Sequence, residues 1–268
     1  MKDKVVIITG ASSGIGLACA RNFASKGAKI VLAARSKTTI ENEANNLVGK
    51  GYSALAVETD VTKEKDCKNL INKAMEEFNR IDILVNNAGI SMRGLFIDLD
   101  LSVMEKLMNV NFWGAVYCTK HALPYLLQQK GSVVGITSIA GFHGLPGRTG
   151  YSASKFAMHG FLETLRIEHL KSGLHVMIAA PGFTASNVRK AALGPDGEPQ
   201  GISPRNESKM MSAETVAEKI ARGILKRRRN IIISAEGMIT VFLQRIVPKV
   251  LDKLFYNHLS KEPNSPLK

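Results

Sequence analysis

Tyr151 and Lys155 stand four residues apart in Tyr151-Ser152-Ala153-Ser154-Lys155, so a helix carries both on one face about a turn apart. An ammonium beside a phenol favours the phenolate and draws a pKa of about 10 toward the working range. Such a tyrosine can give a proton to a carbonyl oxygen or take one from an alcohol near neutral pH. Ser138 precedes Tyr151 by 13 residues and follows Ser132–Ile136, an apolar run that reads as a strand. A hydroxyl at a strand's C-terminal end could hold a substrate oxygen and meet charge developing on it. Asn111, in Asn109-Val110-Asn111, falls within a long apolar helical pattern, where a buried amide must be hydrogen-bonded.

A second group of residues suits a phosphate rather than a proton. The strand-like run Lys4–Thr9 leads into Gly10-Ala11-Ser12-Ser13-Gly14-Ile15-Gly16 and then a helical pattern. Glycine combines open φ/ψ space with no side chain, so such a turn lets backbone N–H groups at a helix N-terminus approach a pyrophosphate. The spacing is Gly-x-x-x-Gly-x-Gly. Further along, Asn86-Asn87-Ala88-Gly89 follows a fourth strand and Pro181-Gly182 a sixth.

These motifs, in this order, closely resemble those of the short-chain dehydrogenase/reductase family over about residues 3 to 234. The resemblance implies a Rossmann domain that exchanges hydride between a nicotinamide dinucleotide and a carbonyl or alcohol. It assigns Asn111, Ser138, Tyr151 and Lys155 as the catalytic set, with Asn111 holding a water that links the lysine to solvent. By the same resemblance Gly10, Ser12, Ser13, Gly14, Ile15 and Gly16 form the phosphate turn, while Asp60 and Val61 flank the adenine. Asn87, Ala88 and Gly89 then form the ribose wall, and Pro181, Gly182 and Thr184 meet the nicotinamide, with Tyr151 and Lys155 also on the cofactor.

The choice of dinucleotide is read at the end of the second strand, Val31-Leu32-Ala33-Ala34-Arg35-Ser36. An acidic residue there would bind a ribose 2′-hydroxyl and repel a 2′-phosphate, whereas an arginine can pair with that phosphate. No Asp or Glu lies between Lys29 and Ile40, so Arg35 and Ser36 favour NADP(H) over NAD(H).

Elements that would position these groups follow from hydrophobic periodicity. Short β-branched runs at Lys4–Thr9, Ala28–Ala33, Ser53–Glu58, Ile83–Val85, Ser132–Ile136, His175–Ala180 and Asn230–Ser234 alternate with helical patterns. Those patterns cover Gly14–Lys26, Thr38–Lys50, Lys63–Asn79, Leu101–Gln129, Tyr151–Ser172 and Ala213–Lys226. The fold class is α/β: one Rossmann-type, doubly wound parallel sheet of about seven strands over residues 1–234. Residues 235–268 form an amphipathic basic extension rather than an independent domain.

With 268 residues, 45% hydrophobic and 22% charged, disorder and collagen-like repeats are excluded. No apolar run reaches the roughly 18 residues of a membrane-spanning helix, no secretory signal precedes the first strand, and the unpaired Cys19, Cys67 and Cys118 suit a reducing compartment. A cytoplasmic oxidoreductase, homodimeric or homotetrameric and without a metal, is the expectation.

Two segments break the alternation. Gly182–Ser212 is rich in Gly and Pro, and its Phe183–Met211 loop is expected, with wall residues Met92, His143 and Leu145, to select the substrate, a hydrophobic ketone or acyl compound. Beyond Ser234, Ile239, Phe242, Leu243, Ile246, Val250, Leu251 and Leu254 recur at helical spacing, with Pro248 expected to split the helix. The net charge is +13, and from Lys219 onward 11 basic residues face 3 acidic ones. The tail is expected to pack on its own domain or a second subunit, or to touch a membrane peripherally. Nucleic acid is disfavoured, because Lys226-Arg227-Arg228-Arg229 has no recognition motif or stacking platform around it. The alternatives to an NADP enzyme are an NAD-linked alcohol dehydrogenase and a nucleotide-sensing binding protein.

Overall fold

A computed structural model of the chain describes residues 1–184, 189, 191–201, 210–262 and 265–267. Within them seven parallel strands pair in the order β3-β2-β1-β4-β5-β6-β7. They are β1 (Val5–Thr9), β2 (Lys29–Ala34), β3 (Ala54–Glu58), β4 (Ile83–Asn86), β5 (Ser132–Ile136), β6 (His175–Ala180) and β7 (Asn230–Ile232). Parallel neighbours need crossovers, and the helices supply them. The helices are α1 (Gly14–Ser25), α2 (Lys37–Gly49), α3 (Glu64–Phe78), α4 (Leu101–Met108), α5 (Gly114–Gln128), α6 (Thr149–Glu168) and α7 (Ala213–Leu225).

Strand alternation divides the core in two. Val6, Ile8, Ile30 and Leu32 point to one face and pack with Phe23, Ile40, Val216 and Ile220 of α1, α2 and α7. Val5, Ile7, Val31 and Leu84 point to the other, against Leu70, Ala122 and Leu162 of α3, α5 and α6. Because both faces are covered, the strands are apolar throughout, and each fully buried Ile or Leu contributes about 1.5–3 kcal/mol. Strand order reverses between β1 and β4, which opens a crevice at the C-terminal ends of those strands.

The helix expected over Leu101–Gln129 is interrupted. A wide π turn, Asn109–Trp113, separates α4 from α5. Its cause is tertiary: the extra residue carries Asn111 inward, where Oδ1 accepts from Ile90 N at 2.8 Å and Nδ2 donates to Ile90 O at 3.0 Å. Gly114 then permits close contact, since a Cβ there would sit 2.8 Å from Val61 Cβ.

The tail splits at the expected place. Helices α8 (Ala235–Ile246) and α9 (Pro248–Ser260) meet at Pro248, which starts α9 where a missing N–H costs nothing. Strand β7 is shorter than the Asn230–Ser234 read from sequence because Ser234 caps α8, its Oγ accepting from Gly237 N at 3.1 Å.

Candidate active site

The turn after β1 lies against the end of β4. Asn87 Nδ2 donates to Thr9 O at 2.9 Å and Gly10 O at 3.1 Å, while the N–H groups of Asn87 and Ala88 both donate to Thr9 Oγ1 at 3.0 Å. Thr9, the residue that leads into the glycine turn, therefore joins the two strands at the switch point. Gly10 has φ +65° and passes so close to Ala88 that a Cβ would approach its Cα to 2.8 Å. Gly16 does not line the crevice; it lies under the turn, where a Cβ would collide with the Gly10 carbonyl oxygen. Its place is helix–turn packing rather than ligand contact.

Along the crevice, a cleft of about 1110 Å³ gathers most of the sequence-identified residues. Arg35, Ser36, Asp60 and Val61 stand at one end, and Gly10, Ser12, Ser13, Gly14 and Ile15 follow. Asn87, Ala88 and Gly89 come next, and Ser138, Tyr151, Lys155, Pro181, Gly182 and Thr184 line the far end. Ser13 caps α1 without a side-chain hydrogen bond, and no acidic residue occupies the first turn. The N–H groups and positive dipole end of α1 are thus left for an anion. A pyrophosphate-bearing dinucleotide fits these donors, the glycine-cleared approach and the length of the cleft.

Arg35 and Ser36 are exposed at the end of β2. Asp60 Oδ1 accepts from Thr62 N at 3.1 Å and Thr62 Oγ1 at 2.8 Å, which shapes the entry to α3. Burial raises the Asp60 pKa, but the Thr62 bonds with Lys63 and Arg35 outweigh it, so the net shift is downward.

At the far end, Lys155 is buried and Nζ donates to Ile136 O at 3.1 Å. Desolvation lowers its pKa to about 8. Tyr151 moves oppositely to the sequence expectation: burial raises its phenol, against lowering by a hydrogen bond with Ser138 and by the Arg148 charge. The reason is that Nζ lies 5.7 Å from the ring centroid and is engaged by the β5 backbone. Ser138 Oγ also accepts from Ala140 N at 3.2 Å, which fixes the hydroxyl at the tip of β5. Asn111 sits one layer beneath. Its Nδ2 also donates to Ser154 Oγ at 2.9 Å, and a Cβ on Gly89 would stand 3.1 Å from its Oδ1 and 3.4 Å from Lys155 Nζ.

Behind Ser138, His159 Nε2 meets Thr137 Oγ1 at 2.9 Å, and burial beside Lys155 lowers its pKa to about 4. It is a neutral positioning residue that sequence reasoning missed, although it lies one turn beyond Lys155 on α6.

The substrate wall differs from the one read in sequence. Leu145 lines the cleft, as do Phe183, Thr184, Arg189 and Ala191 of the Gly/Pro-rich loop. Residues 185–188, 190 and 202–209 of that loop lie outside the described residues. Met92 is instead buried in a small core with Leu99, Val103, Leu107 and Leu193. His143 is buried behind the wall, with Nδ1 2.6 Å from Gln244 Oε1 and its ring 4.8 Å from Phe255. The tail supplies what sequence reasoning omitted: Ser234, Glu236, Gly237, Thr240, Leu254, Phe255 and His258 complete the cleft. A helix opening at the C-terminal end of a sheet strand was the available signal.

Lys155 also sets a stability test. Unfolded, it holds its proton to about 10.5; folded, it releases it at about 8, so the unfolded state binds more protons between those values. Stability should rise with pH through that window. Relative to Lys155→Met, wild type should gain up to roughly 3 kcal/mol between pH 7 and pH 10.5, read from chemical denaturation of both proteins. A pH-independent difference would mean that the ammonium is not desolvated.

A family model described as short chain dehydrogenase matches residues 4–194. The 11-beta-hydroxysteroid dehydrogenase A of Sesamum indicum is 33% identical over 272 residues, covering 99% of this chain and 78% of that protein. A short chain dehydrogenase/reductase from Burkholderia phymatum in complex with NAD superposes with a TM-score of 0.83 at 26% identity, over 93% of this chain and 95% of its own. An alcohol dehydrogenase from the archaeon Thermococcus sibiricus, complexed with 5-hydroxy-NADP, gives 0.76 at 26% identity over 86% and 96%. With the phosphate turn, the Ser138–Tyr151–Lys155 end and the sheet order already in place, the chain belongs to the short-chain dehydrogenase/reductase family, an oxidoreductase on a nucleotide-binding Rossmann sheet.

Proposed function

We propose that this enzyme reduces a hydrophobic carbonyl compound with NADPH. One observation carries the reading: a single cleft has Arg35 at one end and Tyr151 with Ser138 at the other. Ser12 to Ile15 and the α1 N-terminus would hold the pyrophosphate, Arg35 and Ser36 the 2′-phosphate, and Pro181, Gly182 and Thr184 the nicotinamide. The dinucleotide, when bound, supplies the hydride.

The chain's own part is to place and protonate the carbonyl. Ser138 and Tyr151 hold its oxygen from two sides, and Tyr151 gives the proton. A phenol kept protonated by burial suits a donor. Lys155 anchors the site floor to Ile136 O and places a positive charge near the oxygen that gains electrons. Leu145, Phe183, Leu254 and Phe255 supply apolar wall, which supports a ketone carried on a hydrophobic body. The sesame relative's name, a hydroxysteroid dehydrogenase, agrees in chemical class. An NAD-linked dehydrogenase is the second reading, favoured by the dinucleotide of the Burkholderia neighbour.

Turnover of NADPH and NADH against aliphatic, aromatic, acyl and steroidal ketones tests the whole reading. Tyr151→Phe should lower kcat by about 10²–10⁴-fold with cofactor affinity nearly intact, because only the proton donor is removed. A variant within a few-fold of wild type would show that Tyr151 is not the acid.

Arg35→Asp should weaken NADPH by roughly ten- to a hundredfold and NADH little, since a charge-assisted hydrogen bond contributes about 1.5–3 kcal/mol. The two dissociation constants decide it. Equal losses would favour the NAD-linked reading.

A further inference from the structure

Helix α8 is amphipathic the wrong way round for a purely internal role. Its inner side is narrow: Gly237 and Thr240 are buried, and Gly237 lies so close to Ile139 that a Cβ would strike its Cδ1. The outward side carries Met238, Ile239, Phe242 and Ile246 at successive turns, with 58%, 63% and 60% of Ile239, Phe242 and Ile246 exposed. Helix α9 extends this face with Val250 and Leu254, both more than half exposed. Scattered surface hydrophobics are ordinary, but a contiguous row on a two-helix hairpin marks a contact surface.

The charges around that row are predominantly positive. Arg245, Lys249, Lys253 and Lys261 are exposed along the hairpin. Of its acidic residues, Glu262 is buried against Arg93 at 3.2 Å, while Glu236 at the cleft and Asp252, whose Oδ1 lies 3.9 Å from buried His143, are exposed. The hairpin is held by that inner side, with Leu251 and Leu259 buried and Phe255 against His143. Its outer side is therefore a fixed feature of the fold. No helix among the described residues is long and apolar enough to cross a membrane.

We propose that the α8–α9 hairpin seats the enzyme on an anionic lipid surface, with Met238, Ile239, Phe242 and Ile246 in the acyl boundary and the cations at the headgroups. Apolar residues flanked by outward cations are the pattern of an interfacial helix. A second copy fits less well, because a two-fold contact through this face brings two predominantly cationic rims together. Leu254 is both exposed and part of the cleft lining, so the cleft opens beside the seated face. A lipid-soluble substrate would then enter from the surface itself. The separate basic run, Lys226–Arg229, lies at the opposite end of the sheet: Arg227 donates to Lys130 O and Gly173 O, ahead of β5 and β6. It takes no part in this contact.

Co-sedimentation of the full chain with phosphatidylcholine vesicles, with and without phosphatidylserine, tests the proposal without turnover or cofactor. Binding is expected to the anionic vesicles only and to weaken as salt is raised. The Arg245→Glu/Lys249→Glu/Lys253→Glu variant should lose on the order of a hundredfold in partitioning. Phe242→Ser/Ile246→Ser should lose roughly tenfold or more, whereas Lys226→Glu/Arg228→Glu/Arg229→Glu should leave binding unchanged. Because all these side chains are exposed, unaltered thermal melts are expected throughout. Absence of binding at low salt, equal binding to neutral vesicles, or loss only in the Lys226 variant would overturn the proposal. So would a stable dimer, seen by sedimentation equilibrium without vesicle binding, that the Phe242→Ser/Ile246→Ser variant dissociates; the face would then be a subunit contact.

Discussion

The close approach of the β1 turn to the end of β4 is the constraint on which the site depends. Two chain segments can lie that near only if no side chain stands between them and their backbone polar groups are satisfied. Glycine at positions 10 and 16 meets the first requirement, and the Asn87 amide and Thr9 hydroxyl meet the second. An unmet buried donor would cost about 1–3 kcal/mol, so these bonds stabilise the arrangement chiefly by leaving none unpaired. Once the strands diverge above that point, the crevice exists, and the α1 N-terminus faces into it with its donors uncommitted.

Burial sets the chemistry at the other end of the same crevice. Lys155, Ser154 and Asn111 form a hydrogen-bonded floor tied to β5 and to the segment after β4, and the π turn exists to deliver Asn111 to it. Desolvation there moves Lys155 down and Tyr151 up, which separates the pKa values of an ammonium and a phenol that ordinarily lie close together. Ser138 and Arg148 oppose the rise of the phenol. His159, neutral and joined to Thr137, supports the neighbour of Ser138 without adding a charge to the lysine's surroundings.

The third wall comes from the tail. By turning at Pro248 the chain brings Leu254, Phe255 and His258 back over the mouth of the cleft, so substrate-facing surface is contributed by residues far from the catalytic motifs in sequence. The same hairpin carries an outward apolar row. Pocket and contact surface thus share two short helices, and a change on one side of α9 is one residue away from the other.

Local patterns determined most of the scaffold. Apolar strands alternating with helical periods, a glycine turn after the first strand, and Tyr151 and Lys155 one turn apart all depend on neighbours within a few residues, so sequence alone placed the parallel sheet and most of the cleft-lining residues. What lay beyond it required packing between distant segments. Gly16 proved to serve the turn's packing, Met92 a separate core, and His143 the back of the wall, because each side chain's neighbours come from elements far away in sequence. The helix through Asn111 looked continuous because its periodicity carries no sign of the Ile90 backbone that opens it. The phenol's shift could not be read from Tyr-x-x-x-Lys spacing either, since burial outweighs a cation held away from it. Periodicity also located the tail's apolar stripe correctly, but only the tertiary structure decided which of its residues face the cleft and which face outward, because a stripe specifies a helix face and not what will cover it.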